Sequence, residues 1–449
     1  MNIPRRPRVS FYSLGCKVNQ YETRQVAESL IRMGYQVVPF GQPADACVVN
    51  TCAVTDGADV KSRAVLRRAA RAGDDPLVIA TGCYADVAPD AVAAIPGVAR
   101  VASNDEKPHL AEIVDEMVRQ SGRLLFDLPD DVSPDASLPG DLISLLPGGE
   151  AIHRTRAVLK IQDGCNHFCS FCIIPFARGR LRSRPADEIV AEAGRRAAEG
   201  YREIVLAGIC LGDYGDERGF PTTEGDPLAR LLERLAAIPG LARIRLSSID
   251  PRDVSGDLIA TMARLPQAGR HLHLSLQSGD DTVLQRMRRR YDTAGFRGMV
   301  ADLYAAMPEI ALTTDVIVGF PGETAEQFEN TVRMLQECRF AKIHVFPYSP
   351  RQGTQAARWP DDVPPAEKEW RVHTLIELSD RLACRFAARH LGQEVEILVE
   401  RRDRRSGLLS GLTGNYLRVL VAGDDAERGR FVRARVVRTG AEGAFGERS

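Results

Sequence analysis

No stretch of this 449-residue chain approaches the roughly 18 uninterrupted apolar residues that a membrane-spanning helix needs, so a helical membrane protein is excluded. Net charge is nearly absent too. The 59 Lys and Arg residues against 60 Asp and Glu leave −1, so the whole molecule is neither polyanion nor polycation, and attraction to a charged partner has to be local. The first residues, MNIPRRPRVSFYSLGC, are basic without a long apolar run. No signal peptide is therefore expected, and the cytoplasm is the expected location. There is no tandem repeat of fixed period. Cysteines are few: ten in all, expected in a large cytoplasmic chain to be metal ligands or buried thiols rather than disulfides. What is present is apolar residue, 44%, enough for several cores in the two to three domains that the length implies.

The chain divides by pattern. Residues 8–125 alternate short apolar runs with helical stretches and are expected to form one domain. Residues 126–150 read as a linker, because DLPDDVSPDASLPGDLISLLPGGE carries four prolines, six acids and no basic residue. Alternation resumes over 151–385 and closes with a helical stretch, PAEKEWRVHTLIELSDRLACRFAARHLG. Residues 390–449 are short and β-rich: EVEILVE, SGLLSGL, YLRVLVAG and RFVRARVVRTG.

In the first part, VSFYSLGC ends at Cys16, ACVVNTC at Cys52 and LVIATGC at Cys83. Each cysteine follows an apolar run that reads as a buried parallel strand, with helical patterns between. That rhythm implies right-handed crossovers and one parallel sheet, with all three cysteines at its carboxyl edge, where open α/β sheets bind ligands. A single cysteine there would read as a small buried hydrophobe. Three at equivalent strand ends favour metal ligation.

A second trio lies in QDGCNHFCSFCIIPFARGR: Cys165, Cys169 and Cys172, spaced C-x3-C-x2-C in a loop with Gly164 and Asn166 after the apolar strand RAVLKI. A structural zinc site needs a fourth ligand, and none follows nearby. His167 lies inside the motif, but adjacent ligands on a tight loop are expected to point apart. Three thiolates leave one iron of a [4Fe–4S] cluster open for an exogenous ligand. The spacing is the signature of radical S-adenosylmethionine (SAM) chemistry. Six strand candidates follow the same plan: RAVLKI, EIVLAG, RIRLSS, HLHLSL, LTTDVIVGF and KIHVFPY. Six β/α units make a partial barrel, smaller than the eight-unit form, with its ligand groups at the carboxyl ends of the strands. Gly208, Ser247 with Ser248, Ser275, Gln277 and Asp315 fall there as cofactor-facing candidates. Each alone also reads as a turn or cap residue.

From about Arg8 the chain resembles the methylthiotransferases, a family with an N-terminal cluster domain, a radical SAM domain and a C-terminal TRAM domain. SLGCKVNQYE, VVNTCAVT and ATGCYA match its first-domain motifs; IQDGCNHFCSFCIIPFARGRLRSR, RLSSIDP, HLHLSLQSGDD and TTDVIVGFPGET match its second. GCKVNQYE is most similar to the branch acting on N6-threonylcarbamoyladenosine (t6A) in tRNA. The isopentenyladenosine branch reads GCQMN there, and the branch acting on an aspartate of ribosomal protein S12 reads GCPKN. One departure is Cys210, where relatives of this branch carry histidine.

The resemblance implies an α/β fold: an N-terminal parallel-sheet domain, a central partial (β/α)6 radical SAM barrel and a small OB-like TRAM β-barrel. It implies two [4Fe–4S] clusters, one on Cys165, Cys169 and Cys172 and one on Cys16, Cys52 and Cys83. SAM would chelate the open iron of the first and be cleaved to a 5′-deoxyadenosyl radical; the second cluster would present or supply sulfur, and a second SAM the methyl group. The product would be the 2-methylthio derivative of t6A at position 37, beside the anticodon. Implied partners are the tRNA anticodon loop, an electron donor such as flavodoxin or ferredoxin, and a sulfur source.

Local charge fits such a substrate. Residues 401–440 hold ten arginines against four acids. Arginine alternates in VRARVVR at Arg433 and Arg435, with Arg438 following, so one strand face is expected to be basic and to grip phosphate. The segments RGRLRSR and RMRRR are further basic candidates. Solvated surface is the alternative for any single arginine, and a non-enzymatic electron carrier is the alternative for the whole chain. A carrier, however, has four protein ligands per cluster, not three.

Overall fold

The structure, a computed structural model, describes residues 6–73, 75–122, 155–215 and 225–448, so the expected linker at 126–150 lies outside the described residues. The chain forms two compact units, Met1–His153 with Cys172–Gly179, and Arg154–Phe171 with Arg180–Ser449.

The first unit is built on a sheet of β1 (Arg8–Ser13), β2 (Gln36–Val38), β3 (Ala46–Thr51), β4 (Leu77–Gly82) and β5 (Val98–Val101). The order is β2-β1-β3-β4-β5 and every pairing is parallel. All six residues of the central strand β3 are buried, which is why it reads as a continuous apolar run without alternation. Helices α1 (Lys17–Arg32), α2 (Asp56–Ala69) and the short α3 (Cys83–Val87) start just beyond β1, β3 and β4. The start of α2 is capped by Thr55, whose hydroxyl accepts from the Ala58 N–H at 3.1 Å. The three expected strands are therefore present, and Cys16, Cys52 and Cys83 do lie at one edge of one sheet.

In the second unit β6 (Arg156–Lys160) leads into a short pair, β7 (Gln162–Asp163) with β8 (Arg182–Ser183). This antiparallel pair closes the base of the loop that carries the second cysteine trio. All six expected barrel strands form. They are β6, β9 (Glu203–Ala207), β10 (Arg243–Leu246) continued as β11 (Ser248–Ile249), β12 (His271–Gln277), β13 (Ala311–Val318) and β14 (Lys342–Pro347). They run parallel in chain order, as β6-β9-β10 and β11-β12-β13-β14. The third strand, expected unbroken as RIRLSS, breaks at Ser247: β10 bonds back to β9 while β11 bonds forward to β12. The core under the arc is aliphatic, from Leu159, Leu206, Ile244, Leu274 and Leu312.

A short helix, α4 (Ile174–Arg178), follows the cysteine loop, and the long helix α5 (Pro365–Ala388) leads to a closed barrel of β15 (Glu394–Arg402), β16 (Leu409–Thr413), β17 (Arg418–Val421), β18 (Phe431–Gly440) and β19 (Gly443–Arg448). The sequence pattern showed four of these strands. β19 was missed because GAFGER has two glycines and little apolar alternation. Buried charge ties this barrel to the arc. Glu203, with no exposed surface, meets Arg156 at 2.9 Å, Arg243 at 3.2 Å and Arg245 at 2.7 Å. Arg245 in turn donates to the carbonyls of Thr413 at 2.7 Å and Gly414 at 3.0 Å. Removing one member of such a set leaves an uncompensated buried charge, at a cost of about 3–5 kcal/mol.

Candidate functional site

The edge of the first sheet is held by side-chain amides and hydroxyls. Asn19 of α1 donates to the carbonyls of Leu14 (2.7 Å) and Thr51 (2.9 Å), and Asn50 donates to the Asn19 carbonyl at 3.0 Å. The Thr51 hydroxyl bonds the Thr81 carbonyl at 2.6 Å, so the ends of β1, β3 and β4 are bound together. Gly15, at φ +94°, lies so close to Cys52 that a Cβ there would stand 2.9 Å from its sulfur. Only glycine brings Cys16 past Cys52 in this way. Gly82, at φ +96°, likewise leaves no room for a Cβ against Asn50 and Thr51. Burial pushes the Cys52 thiol up to about 11, and the neighbouring Cys83 and Cys16 add to the shift. The three thiols lie near enough to act on one another's charge, with Cys52 and Cys83 almost wholly buried and Cys16 exposed, a donor set that fits three irons of a [4Fe–4S] cluster.

Behind Cys83 lies a buried set that the sequence did not reveal. Arg178, in α4 just after the second trio, donates through Nε to the Cys83 sulfur at 3.2 Å, through Nη1 to Glu22 at 2.6 Å and through Nη2 to Asn19. Lys107 reaches the other Glu22 oxygen at 2.5 Å and Asn50 at 3.2 Å. The basic segment RGRLRSR thus divides: Arg178 is buried, while Arg180 and Arg182 are exposed.

The loop of the second trio is braced separately. Gln162 donates to the carbonyls of Asp163 (2.8 Å) and Gly164 (2.7 Å) and accepts from the Cys210 N–H at 2.8 Å. Gly208 belongs to this brace, since a Cβ there would stand 2.9 Å from Gln162 Oε1. Ser170 is tied to the carbonyls of Met287 and Arg286 at 3.1 and 2.8 Å. Arg289 donates to the Cys169 sulfur at 3.1 Å and to Asp250 at 2.5 Å. RMRRR thus also holds a buried anchor, Arg289, beside exposed Arg286, Arg288 and Arg290.

His167 does not point away from its neighbours. Asp213, at 2.8 Å, draws the ring inward, so that a ring nitrogen lies 3.6 Å from the Cys210 sulfur. The ligand atoms of Cys165, His167 and Cys210 lie within 4.8 Å of one another. The Cys210 thiol donates to Cys165, which lowers the pKa of Cys165 and raises that of Cys210. Burial, with the charges of Asp213 and Asp250 beside it, raises Asp253 to about 7. No spacing signal in the sequence joined these aspartates to the loop.

Of the remaining candidates, Ser247 and Gln277 lie at strand ends, whereas Ser275 and Asp315 lie within β12 and β13. The Ser247 hydroxyl is buried without a hydrogen-bond partner among the described residues, the state expected of a group that meets a polar ligand. Ser275 joins the Arg289 set through its carbonyl at 3.2 Å. Gln277 closes β12 at φ +68°. Asp315 pairs with His273 at 3.1 Å.

On the small barrel, Arg433 and Arg435 are exposed while Val432, Ala434 and Val436 point inward, as the alternation required; Arg438 is out of that alternation and is exposed where the register shifts between Val436 and Arg438. The basic face is partly offset. Glu396 and Glu394 stand opposite Arg433 and Arg435 on β15, and Glu394 lies 3.6 Å from Arg433. The three aromatics of the barrel are already covered: Arg245 lies over Tyr416 at 4.3 Å, Arg243 over Phe431 at 4.7 Å and Arg438 over Phe445 at 3.9 Å.

Three family models match this chain: the radical SAM superfamily over 159–335, the uncharacterized protein family UPF0004 over 8–102 and the TRAM domain over 388–447. Two similar relatives, from Bacillus subtilis and Thermotoga maritima, are each named threonylcarbamoyladenosine tRNA methylthiotransferase MtaB. The first is 39% identical, covering 96% of this chain and 94% of the relative; the second is 36% identical, covering 97% and 96%. A relative from Methylacidiphilum infernorum, named tRNA-2-methylthio-N(6)-dimethylallyladenosine synthase, is 34% identical over 96% and 93%. Among solved structures, the radical SAM methyltransferase TsrM from Kitasatospora setae shares the fold at a TM-score of 0.54 and 15% identity, over 78% of this chain and 77% of that one.

Proposed function

Because the chain belongs to the radical SAM methylthiotransferase family, we propose that it converts t6A at position 37 of tRNA to its 2-methylthio derivative. The observation that carries this reading is two cysteine trios in a chain that aligns almost end to end with t6A enzymes. The cofactors are two [4Fe–4S] clusters and SAM. When bound and reduced, they supply the radical that removes hydrogen from ring carbon 2 and the sulfur and methyl that replace it.

The chain's own residues bind, orient and exclude water. Cys165, Cys169 and Cys172 hold the SAM cluster, and Arg289 donates to one of its sulfurs. Ser247 and Gln277 from strand ends, and Ser275 and Asp315 from within β12 and β13, face SAM. Gly208 acts through Gln162, by letting β9 close on the loop. Cys16, Cys52 and Cys83 hold the sulfur-presenting cluster. The domains are 8–125, 151–385 and 390–449, joined by the 126–150 linker.

Among the described residues no helix is long and apolar enough to cross a membrane. We place the enzyme in the cytoplasm with its tRNA, reduced by a donor of the flavodoxin or ferredoxin type and fed by a separate sulfur source. Mass spectrometry of tRNA nucleosides from a strain lacking the gene tests the substrate. Loss of 2-methylthio-t6A alone is expected. Loss of the isopentenyl derivative instead would reassign the branch, and intact tRNA with an unmodified S12 aspartate would move the substrate to protein.

Changing Arg433, Arg435 and Arg438 to glutamine is expected to weaken binding of many tRNAs alike. The slope of log affinity against log salt should become shallower by about 1–2, since each phosphate contact contributes 0.7–0.9 and Glu394 already offsets part of the charge. Unchanged affinity and slope, measured by filter binding across salt, would return this face to plain solvated surface.

A further inference from the structure

Arg178 does more than anchor a loop. It is buried, and its guanidinium is shared between the Cys83 sulfur, Glu22 and Asn19. Lys107 holds the same Glu22 from the other side, with its amine buried. The nearby acid Asp86 turns instead to the Asn104 N–H, at 2.9 Å. Two cations and one carboxylate thus stand behind one cysteine of the first trio, and one N–H is aimed at its sulfur. A group needed only for packing would be met more cheaply by apolar side chains, because burying charge carries a desolvation cost.

We propose that Arg178 is a positioning residue that raises the reduction potential of the cluster on Cys16, Cys52 and Cys83, with Glu22 opposing it. The proposal rests on the assignment of that trio to a cluster. An electron added to an iron–sulfur cluster makes its sulfurs more negative. An N–H donor and a buried cation at one sulfur therefore stabilise the reduced form more than the oxidised one. Glu22 spreads and partly cancels the Arg178 charge, so the two residues act with opposite sign on the same sulfur. The consequence is a sulfur-presenting cluster tuned by a residue of the very segment that follows Cys172.

The test uses the full chain with Cys165, Cys169 and Cys172 changed to alanine, reconstituted anaerobically so that only the first trio reports. Iron content and an EPR-monitored redox titration are measured for this parent, for Arg178→Met and for Glu22→Gln. Arg178→Met is expected to move the midpoint to more negative potential and Glu22→Gln to less negative. A tenfold change in the ratio of reduced to oxidised cluster at fixed potential reads as about 59 mV for a one-electron couple. A merely structural Arg178 would cost iron without moving the midpoint of the cluster that remains. Both variants iron-replete with unchanged midpoints, or both shifted the same way, would overturn the proposal. If Arg178→Met fails to hold iron, Glu22→Gln decides alone: a rise supports the proposal and no change refutes it. A parent that binds no iron at all would instead refute the cluster on Cys16, Cys52 and Cys83, a separate result.

Discussion

With Cys165, Cys169 and Cys172 changed to alanine, 5′-deoxyadenosine formation is expected to fall to the assay background, and iron from about eight to about four per chain. The loss should be total because no other group in the molecule can do this step. Reductive cleavage of SAM needs an electron delivered to an iron that SAM chelates, and on the proposed assignment these thiolates hold the cluster that carries that iron. Side-chain acids and bases, Asp253 included, move protons and do not attack an unactivated C–H bond. Alanine is the better replacement than serine here, since an orphaned hydroxyl near Gln162 and Arg289 would add a desolvation cost of its own. Cys47, Cys338 and Cys384 serve as controls. Cys47 and Cys338 are buried in apolar clusters and Cys384 is exposed on α5, so changing them should leave iron unaltered. Iron still near eight in the triple variant would remove this trio from the chemistry.

The complementary variant should separate cleavage from insertion. Changing Cys16, Cys52 and Cys83 to alanine is expected to spare part of the 5′-deoxyadenosine formation while stopping methylthiolation of tRNA, again with about four irons left. The reason is placement. These cysteines follow the strands of the five-stranded sheet and none of them lies in the six-strand arc, although Cys172 of the other trio belongs to the same compact unit as the sheet. The lattice of Asn19, Asn50 and Thr51 does not use the thiols as partners, so the sheet edge should survive their loss. Deoxyadenosine and methylthio-nucleoside are measured from one reaction. Methylthiolation persisting in this variant would end the sulfur-presenting role of the first trio. Loss of both activities with iron near four would make the first cluster necessary for cleavage as well.

Much of this site was legible in the sequence because its signals are short-range. C-x3-C-x2-C needs no fold to be read, and the apolar runs before Cys16, Cys52 and Cys83 name strands by composition alone. The six units of the arc followed from the same alternation. The alternation in VRARVVR also correctly put Arg433 and Arg435 on the outer face, because a strand's period is local.

What tertiary structure alone decided is which distant residues meet. Arg178 and Arg289 look like their exposed neighbours in RGRLRSR and RMRRR, yet both are buried against cysteines. Their partners Glu22 and Asp250 stand 156 and 39 positions away, and no local pattern records a compensated charge. The break at Ser247 exists because its strand bonds to different neighbours on its two halves, a matter of register between segments. Cys210 reads as an isolated departure until the Gln162 brace sets its backbone against the cysteine loop. By itself the sequence offered the candidate donor atoms and the chain positions of the main strands, through residue type and period. Folding determined the electrostatics around those donors, because the energy of a buried charge depends on partners that only the packed chain brings within hydrogen-bond reach.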